Sequence, residues 1–173
     1  MLLENKVIAI TGAGRGIGQA MAHLAAQEGA AVVVNDFGVN VDGTSPSDGP
    51  AAEVAEEITK AGGRAVANFG SVAEPDGARS IVEQAVAEFG QLDGIVNNAG
   101  ILRDRMIFNM MEDEWDAVMA VHLRGNFLCT QYAALQMVKQ QSGCILGVTS
   151  GSALCSTVGG GDRVEYSVLG DTV

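Results

Sequence analysis

The sequence predicts a doubly wound α/β domain with a parallel sheet, on the strength of three observations. Short apolar, β-branched runs recur along the 173 residues, beginning with Val7–Ile10, as in strands that are covered on both faces. Amphipathic helix patterns separate these runs. A glycine-rich turn, Thr11–Gly18, joins the first run to the first helix pattern. Strand, glycine turn and helix in this order are typical of a parallel α/β sheet.

The remaining elements follow in alternating order. Further strand patterns lie at Ala30–Asn35, Arg64–Phe69, Leu92–Val96 and Cys144–Thr149. Helix patterns cover Ala51–Ala61 and Pro75–Phe89, and a long helix begins at Glu112. In the first helix we expect the apolar face to be Ile17, Ala20, Met21, Leu24 and Ala25. Phe37–Pro50 is predicted to be a long polar loop, because turn-forming residues dominate it.

Composition indicates one globular domain over residues 1–173, with an irregular segment at about 154–173. The chain is 47% hydrophobic and 18% charged, which suits a real core. Its net charge of −11 disfavours nucleic acid and anionic membranes as partners.

The N-terminus and the cysteines predict a cytoplasmic protein. The sequence has no signal-peptide pattern and no apolar run of membrane-spanning length. Its three cysteines are odd in number and lack metal-ligand spacing, so we expect reduced packing thiols and no metal site.

The turn at Thr11–Gly18 has the residues that a diphosphate site requires. Gly12 permits a tight turn, while Gly16 and Gly18 remove side chains where the phosphates approach and where the helix lies on the strand. The free N–H groups at the helix start, together with Arg15 and Ile17, would then hold the anion. The alternative is a loop that merely tolerates glycine.

Asp36 is the candidate ribose ligand. It follows the second strand, eighteen residues after Gly18, about where dinucleotide folds place a carboxylate on the adenosine ribose. Such a carboxylate accepts hydrogen bonds from the diol and repels a 2′-phosphate, so it favours NAD over NADP. The alternative is an ordinary turn acid at the end of a strand.

Asn97-Asn98-Ala99-Gly100 follows the fourth strand pattern. Asn side chains can hold neighbouring strand ends by bonding their backbone groups, and small residues leave room for a flat ligand. We therefore expect Asn98, Ala99 and Gly100 to border the nucleoside. The alternative is an ordinary turn.

These two motifs, Thr-Gly-x-x-x-Gly-x-Gly and Asn-Asn-Ala-Gly, make the chain resemble the short-chain dehydrogenase/reductase family. The resemblance implies a Rossmann-type sheet with strand order 3-2-1-4-5, here lacking the family's later strands. Strings such as Ile101-Leu102-Arg103-Asp104-Arg105 and Val121-His122-Leu123-Arg124-Gly125 narrow it to the 3-hydroxyacyl-CoA dehydrogenase branch. That branch includes the dehydrogenase domain of the peroxisomal multifunctional enzyme and bacterial single-domain relatives.

The resemblance also implies residue roles. Adenine would be contacted by Ser71 or the Val72 backbone, because the family's usual acid is replaced by Gly70. His122 stands where most of the family has an Asn that helps to hold a proton-relay water. A purely structural role for His122 is the alternative. Ser150 would orient the reacting oxygen, and Tyr166 would exchange the proton.

The sequence departs from the family after Ser150. Ser150 to Tyr166 is sixteen residues and Ser152 to Tyr166 is fourteen, against a family spacing of about thirteen. The family's Lys position holds Gly170, so nothing evident lowers the phenol pKa from about 10. The chain is either short or altered near its end, or lacks an intervening stretch. An open sheet edge would follow, so we expect weak stability or a homo-oligomer.

Two functions therefore stay open at this point. The first is an NAD-dependent oxidoreductase acting on a small molecule, a 3-hydroxyacyl-CoA or a similar secondary alcohol or ketone. The second is a non-catalytic NAD-binding or interaction domain, or an inactive truncated relative, because the nucleotide motifs are intact while the catalytic motif is broken.

Overall fold

The computed structural model describes residues 1–38, 49–103 and 106–149. Over these ranges strands and helices alternate. In chain order the elements are β1 Val7–Thr11, α1 Gly16–Gln27, β2 Ala31–Asn35, α2 Gly49–Lys60, β3 Arg64–Asn68, α3 Pro75–Phe89, β4 Gly94–Asn97, a 3₁₀ turn Ile107–Asn109, α4 Glu112–Met119, a π-helical segment Ala120–Arg124, α5 Gly125–Gln140 and β5 Cys144–Gly147. The predicted long helix is thus α4, the π-helical segment and α5 in succession.

The five strands form one parallel sheet in the order β3-β2-β1-β4-β5, which confirms the predicted fold class. In the register, Thr11 pairs with Asn35, and Asn35 pairs with Asn68. Asn97 pairs with Gly147 on the other side of the sheet. The carboxyl ends of all the strands therefore meet along one edge, where parallel α/β sheets bind ligands.

The core has two parts. One contains Ile10, Val32 and Val34 of the sheet with apolar side chains of α1 and α2. The other contains Val33 and Ile95 with apolar side chains of α3 and α5. Side chains alternate between the two faces along a strand, so both faces of β2 are buried and all five of its residues are inaccessible.

The expected apolar face of α1 is wrong for Ile17, Ala20 and Leu24, whereas Ala25 is buried as predicted and Met21 packs against the core. Ile17 is 70% and Leu24 59% exposed, Ala20 is exposed, and Met21 is half-buried. The buried residues are Gly18, Ala22 and Ala25. These small residues let the helix backbone approach the sheet closely, and the larger side chains turn outward as a consequence.

Element boundaries shift by at most two residues from those that the sequence predicts. Helix α2 begins at Gly49, inside the expected loop Phe37–Pro50. Strand β5 ends at Gly147, before the expected Thr149. The predicted irregular segment 154–173 lies outside the described residues. No helix in the described ranges is both long and apolar enough to cross a membrane.

Candidate nucleotide-binding site

The turn between β1 and α1 needs glycine at two positions for different reasons. Gly12 has φ +63°, and a Cβ there would lie 2.8 Å from the Cα of Ala99. At Gly18 a Cβ would collide with the carbonyl oxygen of Gly12 and lie 2.6 Å from Nδ2 of Asn98. Gly16, by contrast, has φ +57° and open space beside its Cα. The turn is therefore packed tightly against β4 on one side and leaves room beside Gly16, where α1 begins.

Thr11 and Asn98 fasten this turn to the end of β4. The Thr11 hydroxyl accepts hydrogen bonds from the backbone N–H groups of Asn98 and Ala99, both at 3.0 Å, and donates to the Val96 carbonyl at 3.3 Å. The Asn98 amide donates to the carbonyls of Thr11 and Gly12 at 3.0 and 3.1 Å. We call this arrangement the Thr11–Asn98 clasp. The role of the Thr11 side chain is absent from the sequence-based prediction.

Asp36 lies at the end of β2, directly beside the glycine turn. Asp36 is 8% exposed. Oδ2 accepts from the Gly14 N–H at 2.9 Å, and Oδ1 accepts from the Gly38 N–H at 2.7 Å. The carboxylate is therefore held in place by backbone donors, and each of its oxygens keeps capacity for a further hydrogen bond. A Cβ at Gly14 would lie 2.7 Å from Oδ2 and 2.6 Å from the Cβ of Pro50, so a side chain there would displace the carboxylate or Pro50.

Two asparagines at the ends of β2 and β3 hold the next turn, which we call the 69–72 turn. Asn35 Nδ2 donates to Asn68 Oδ1 at 2.8 Å and to the Gly70 carbonyl at 2.9 Å. Asn68 Oδ1 also accepts from the Gly70 N–H at 3.0 Å. Ser71 is half-buried, and Val72 is 8% exposed. Asn35 and Asn68 each end an apolar strand, and this pattern could have indicated the network. The sequence-based prediction does not include it.

His122 lies in the π-helical segment, a kind of helix distortion that is frequent at functional sites. Its Nε2 is 3.0 Å from the Ile101 nitrogen and 2.9 Å from the Ile101 oxygen. As one tautomer the ring accepts a hydrogen bond from the Ile101 N–H, and as the other tautomer it donates one to the Ile101 carbonyl. A Cβ at Gly100 would lie 2.6 Å from its Cε1. The imidazole is therefore engaged with the backbone that follows β4.

Asn97 connects the same edge to α5. Its Nδ2 donates to Asn126 Oδ1 at 3.2 Å and to Thr130 Oγ1 at 3.1 Å. Its backbone oxygen accepts from the Val148 N–H at 3.0 Å. Its Oδ1 is buried, and no residue in the described ranges donates to it. Asn97 thus connects α5 to the chain just beyond β5. The sequence-based prediction expected the asparagines to hold strand ends together but did not name these partners.

The predicted cofactor residues come together at one edge of the sheet. Arg15, Gly16 and Ile17 are exposed there, and Asn98 and Ala99 are half-buried against the turn. The predicted catalytic residues Ser150 and Tyr166 lie outside the described residues, so only His122 of that group has a described position. Within 1–38, 49–103 and 106–149 there is no group of three His, Cys, Asp or Glu side chains able to hold a metal ion.

A parallel 3-2-1-4-5 sheet with a glycine turn after its first strand defines a Rossmann-type fold. The similarity of the sequence to known proteins identifies the family within that class. The family model described as short chain dehydrogenase matches residues 6–166. The chain belongs to the short-chain dehydrogenase family.

Three known proteins show how far the likeness extends. The peroxisomal multifunctional enzyme type 2 of Drosophila melanogaster is 46% identical over 95% of this chain and 26% of its own length. The hydroxyacyl-CoA dehydrogenase ChsB1 of Mycobacterium tuberculosis is 48% identical over 76% of this chain and 40% of its own. A crystal structure of a short chain dehydrogenase from Mycobacterium avium superposes with a TM-score of 0.80 and 48% identity. It is matched over 88% of this chain and 57% of that one, so the chain spans little more than half of it.

Proposed function

We propose that this chain is the nucleotide-binding part of an NAD(H)-dependent oxidoreductase that acts on a 3-hydroxyacyl-CoA or a similar secondary alcohol or ketone. Family membership supports the reaction class. The fly and mycobacterial relatives, one a peroxisomal multifunctional enzyme and the other a hydroxyacyl-CoA dehydrogenase by name, support the substrate class.

The observation that carries the proposal is the joint placement of the glycine turn, the Thr11–Asn98 clasp and Asp36. The first N–H groups of α1 have no partner within the helix, and open space beside Gly16 gives a diphosphate access to them. Anions are stabilised at such a helix start. Gly12, Arg15, Gly16, Ile17 and Gly18 would hold the diphosphate, with Asn98, Ala99 and Gly100 beside the nucleoside.

Asp36 supports NAD rather than NADP. Its carboxylate is fixed by the Gly14 and Gly38 amides and can still accept hydrogen bonds from two ribose hydroxyls. A 2′-phosphate at the same place would bring like charges together with little water between them, since Asp36 is 8% exposed. The unphosphorylated ribose is therefore the better ligand.

The protein's chemical task in this proposal is positioning and proton transfer. When bound, the nicotinamide exchanges a hydride with the carbinol carbon of the substrate. Ser150 would orient the reacting oxygen, and Tyr166 would exchange its proton. His122 would assist by holding Gly100 and Ile101, because its Nε2 is engaged with the Ile101 backbone. Reduced thiols, as at buried Cys129, suit the cytoplasmic location that we propose.

The test is a pair of measurements on the 173-residue chain. We expect NADH fluorescence to report binding and a 3-hydroxyacyl-CoA with NAD to yield NADH. We expect Tyr166→Phe to abolish turnover and keep NADH binding, whereas the matched variant Tyr132→Phe keeps both. Binding without turnover would overturn the catalytic claim in favour of a non-catalytic NAD-binding domain. Absence of NADH binding by folded protein would overturn the proposal as a whole.

A further inference from the structure

The π-helical segment and α5 follow one another without a break, and a side chain near each end bonds this stretch to the chain beside β4. At the carboxyl end, Gln140 Oε1 accepts from the Leu92 N–H at 3.1 Å, and Gln140 Nε2 donates to the Leu92 carbonyl at 2.9 Å. At the amino end, His122 Nε2 lies 3.0 Å from the Ile101 nitrogen and 2.9 Å from the Ile101 oxygen. Each side chain therefore meets the N–H and the carbonyl of a single residue.

The two side chains differ in what they can satisfy. A carboxamide has a separate donor and acceptor, so Gln140 pairs with both Leu92 groups at the same time. The Nε2 atom of a neutral imidazole is either a donor or an acceptor, so His122 pairs with one Ile101 group at a time. Ile101 is 6% exposed, and no other residue in the described ranges pairs with its N–H or its carbonyl. Each tautomer of His122 therefore leaves one of these two groups without a protein partner.

The second ring nitrogen of His122 is open to solvent. No residue in the described part of the chain pairs with Nδ1, and Nδ1 is not among the fully buried polar atoms that lack a partner there. It is a donor when Nε2 accepts from Ile101, and an acceptor when Nε2 donates. The ring also lies against Gly100, where a Cβ would be 2.6 Å from Cε1. The tautomer of His122 is therefore linked to the hydrogen bonding of the backbone that follows the Thr11–Asn98 clasp.

We propose that His122 is a positioning residue with two hydrogen-bonded states, and that a bound dinucleotide selects one of them. In the first state Nε2 accepts from the Ile101 N–H, and Nδ1 is a donor. In the second state Nε2 donates to the Ile101 carbonyl, and Nδ1 is an acceptor. The selection rests on the proposed function, in which the nucleoside lies beside Ala99 and Gly100. A ligand that interacts better with one state raises the population of that state.

Amide hydrogen exchange tests the two states in the free chain. In His122→Gln, a carboxamide of similar reach can pair with both Ile101 groups at once, as Gln140 does with Leu92. We expect exchange of the Ile101 N–H to slow by about tenfold or more in this variant. In the reciprocal variant Gln140→His, exchange of the Leu92 N–H should quicken by a similar factor. An Ile101 N–H that exchanges equally fast in the wild type and in folded His122→Gln would overturn the two states.

Magnetic resonance of the wild-type chain with nitrogen-15-labelled histidine tests the states and their selection without any variant. At pH 8, where an imidazole is ordinarily neutral, we expect His122 to show a mixture of both tautomers in the free chain. Saturating NADH should shift the mixture toward one tautomer, whereas His23, which pairs with Glu57, should stay unchanged as the internal reference.

The outcomes of this measurement are distinguishable. A single His122 tautomer in the free chain would overturn the two states. A tautomer mixture that stays unchanged while NADH binds would overturn the selection by the dinucleotide. Absence of NADH binding would overturn the proposed function and the selection together, whereas the spectrum of the free chain and the exchange of the Ile101 N–H would still decide whether His122 has two states.

Discussion

The two ends of the sheet are built very differently. We call the end with β2 and α2 the nucleotide side and the end with β5, α4 and α5 the far side. On the nucleotide side, all five residues of β2 are buried, and α2 buries Ala51, Val54, Ala55 and Ile58. On the far side, three of the four residues of β5 are exposed, and α4 has no buried residue although the structure describes it completely. Phe127 and Leu135 of α5 are 59% and 58% exposed. Strand β5 and helix α4 are therefore the least covered elements of the described chain, although the inner face of α5 is buried.

This difference indicates what each side needs. The nucleotide side covers both sheet faces with its own helices and fixes its turns by backbone contacts. The far side presents apolar groups of a kind that is usually covered by further protein. Relatives that extend well beyond the matched region, and the homo-oligomer that the sequence predicts, are both ways to cover it. The oligomer stays a prediction.

The largest effect is expected on the nucleotide side, from Gly18→Ala. The added methyl group collides with the Gly12 carbonyl, so α1 must move away from the turn. We expect the free energy of unfolding in urea to fall by about 3 kcal/mol. Gly16→Ala is the control. It meets open space and suffers only from its φ of +57°, which costs about 1 kcal/mol. Equal losses in the two variants would contradict the tight packing at Gly18.

Breaking the clasp with Thr11→Val should have the next largest effect. Valine keeps the shape but leaves the partly buried N–H groups of Asn98 and Ala99 without their acceptor. We expect a loss of about 2 kcal/mol in urea unfolding and weaker NADH binding. Thr11→Ser retains the hydroxyl and should lose about 1 kcal/mol, the value of one buried methyl group. A serine variant as unstable as the valine variant would contradict the clasp.

A smaller effect is expected from Cys129, on the inner face of α5. Burial raises the pKa of its thiol from 9.0 to about 12. Between these values the unfolded chain loses the proton while the folded chain keeps it, so stability falls as the pH rises through 9 toward 12. By pH 10 the loss attributable to this thiol should be about 1.4 kcal/mol. The loss is measured by comparing the free energy of unfolding of the wild type and of Cys129→Ala at pH 8 and pH 10. An equal loss of stability in both proteins would show that the Cys129 thiol is not its cause.

The smallest effect on folding is expected at the exposed apolar face of the far side. Val138 is 75% exposed, so Val138→Gln should change the free energy of unfolding by less than about 0.5 kcal/mol. If this face is covered by a second copy of the chain, the same variant should reduce the mass seen by light scattering. An unchanged mass would exclude Val138 from such an interface.

The strands and the glycine turn could be predicted because they depend on local patterns, whereas the strand order followed from the resemblance to the family. Val7–Ile10 and Ala30–Asn35 are apolar runs of strand length, and the glycines between them follow from turn geometry. The face of α1 could not be predicted from hydrophobicity. Close packing selected Gly18, Ala22 and Ala25 over the larger Ile17 and Leu24, and that choice depends on the distance between helix and sheet.

The contacts of the site were less predictable than its location. Thr11 and Asn98 are 87 residues apart in sequence, and no local pattern indicates that one side chain serves the other. The contact between Gly70 and Gly77 likewise depends on how α3 meets the sheet edge. His122 could be associated with the site by resemblance, but its engagement with Ile101 required the positions of both chain segments.

The central claim is that the glycine turn and Asp36 together hold an unphosphorylated dinucleotide. Calorimetric titration of the folded chain with NADH and with NADPH tests it most directly. We expect NADH to bind at least about tenfold more tightly, and Asp36→Asn to reduce that ratio because the repelling charge is removed. Absence of NADH binding, or tighter binding of NADPH to the wild type, would contradict the account.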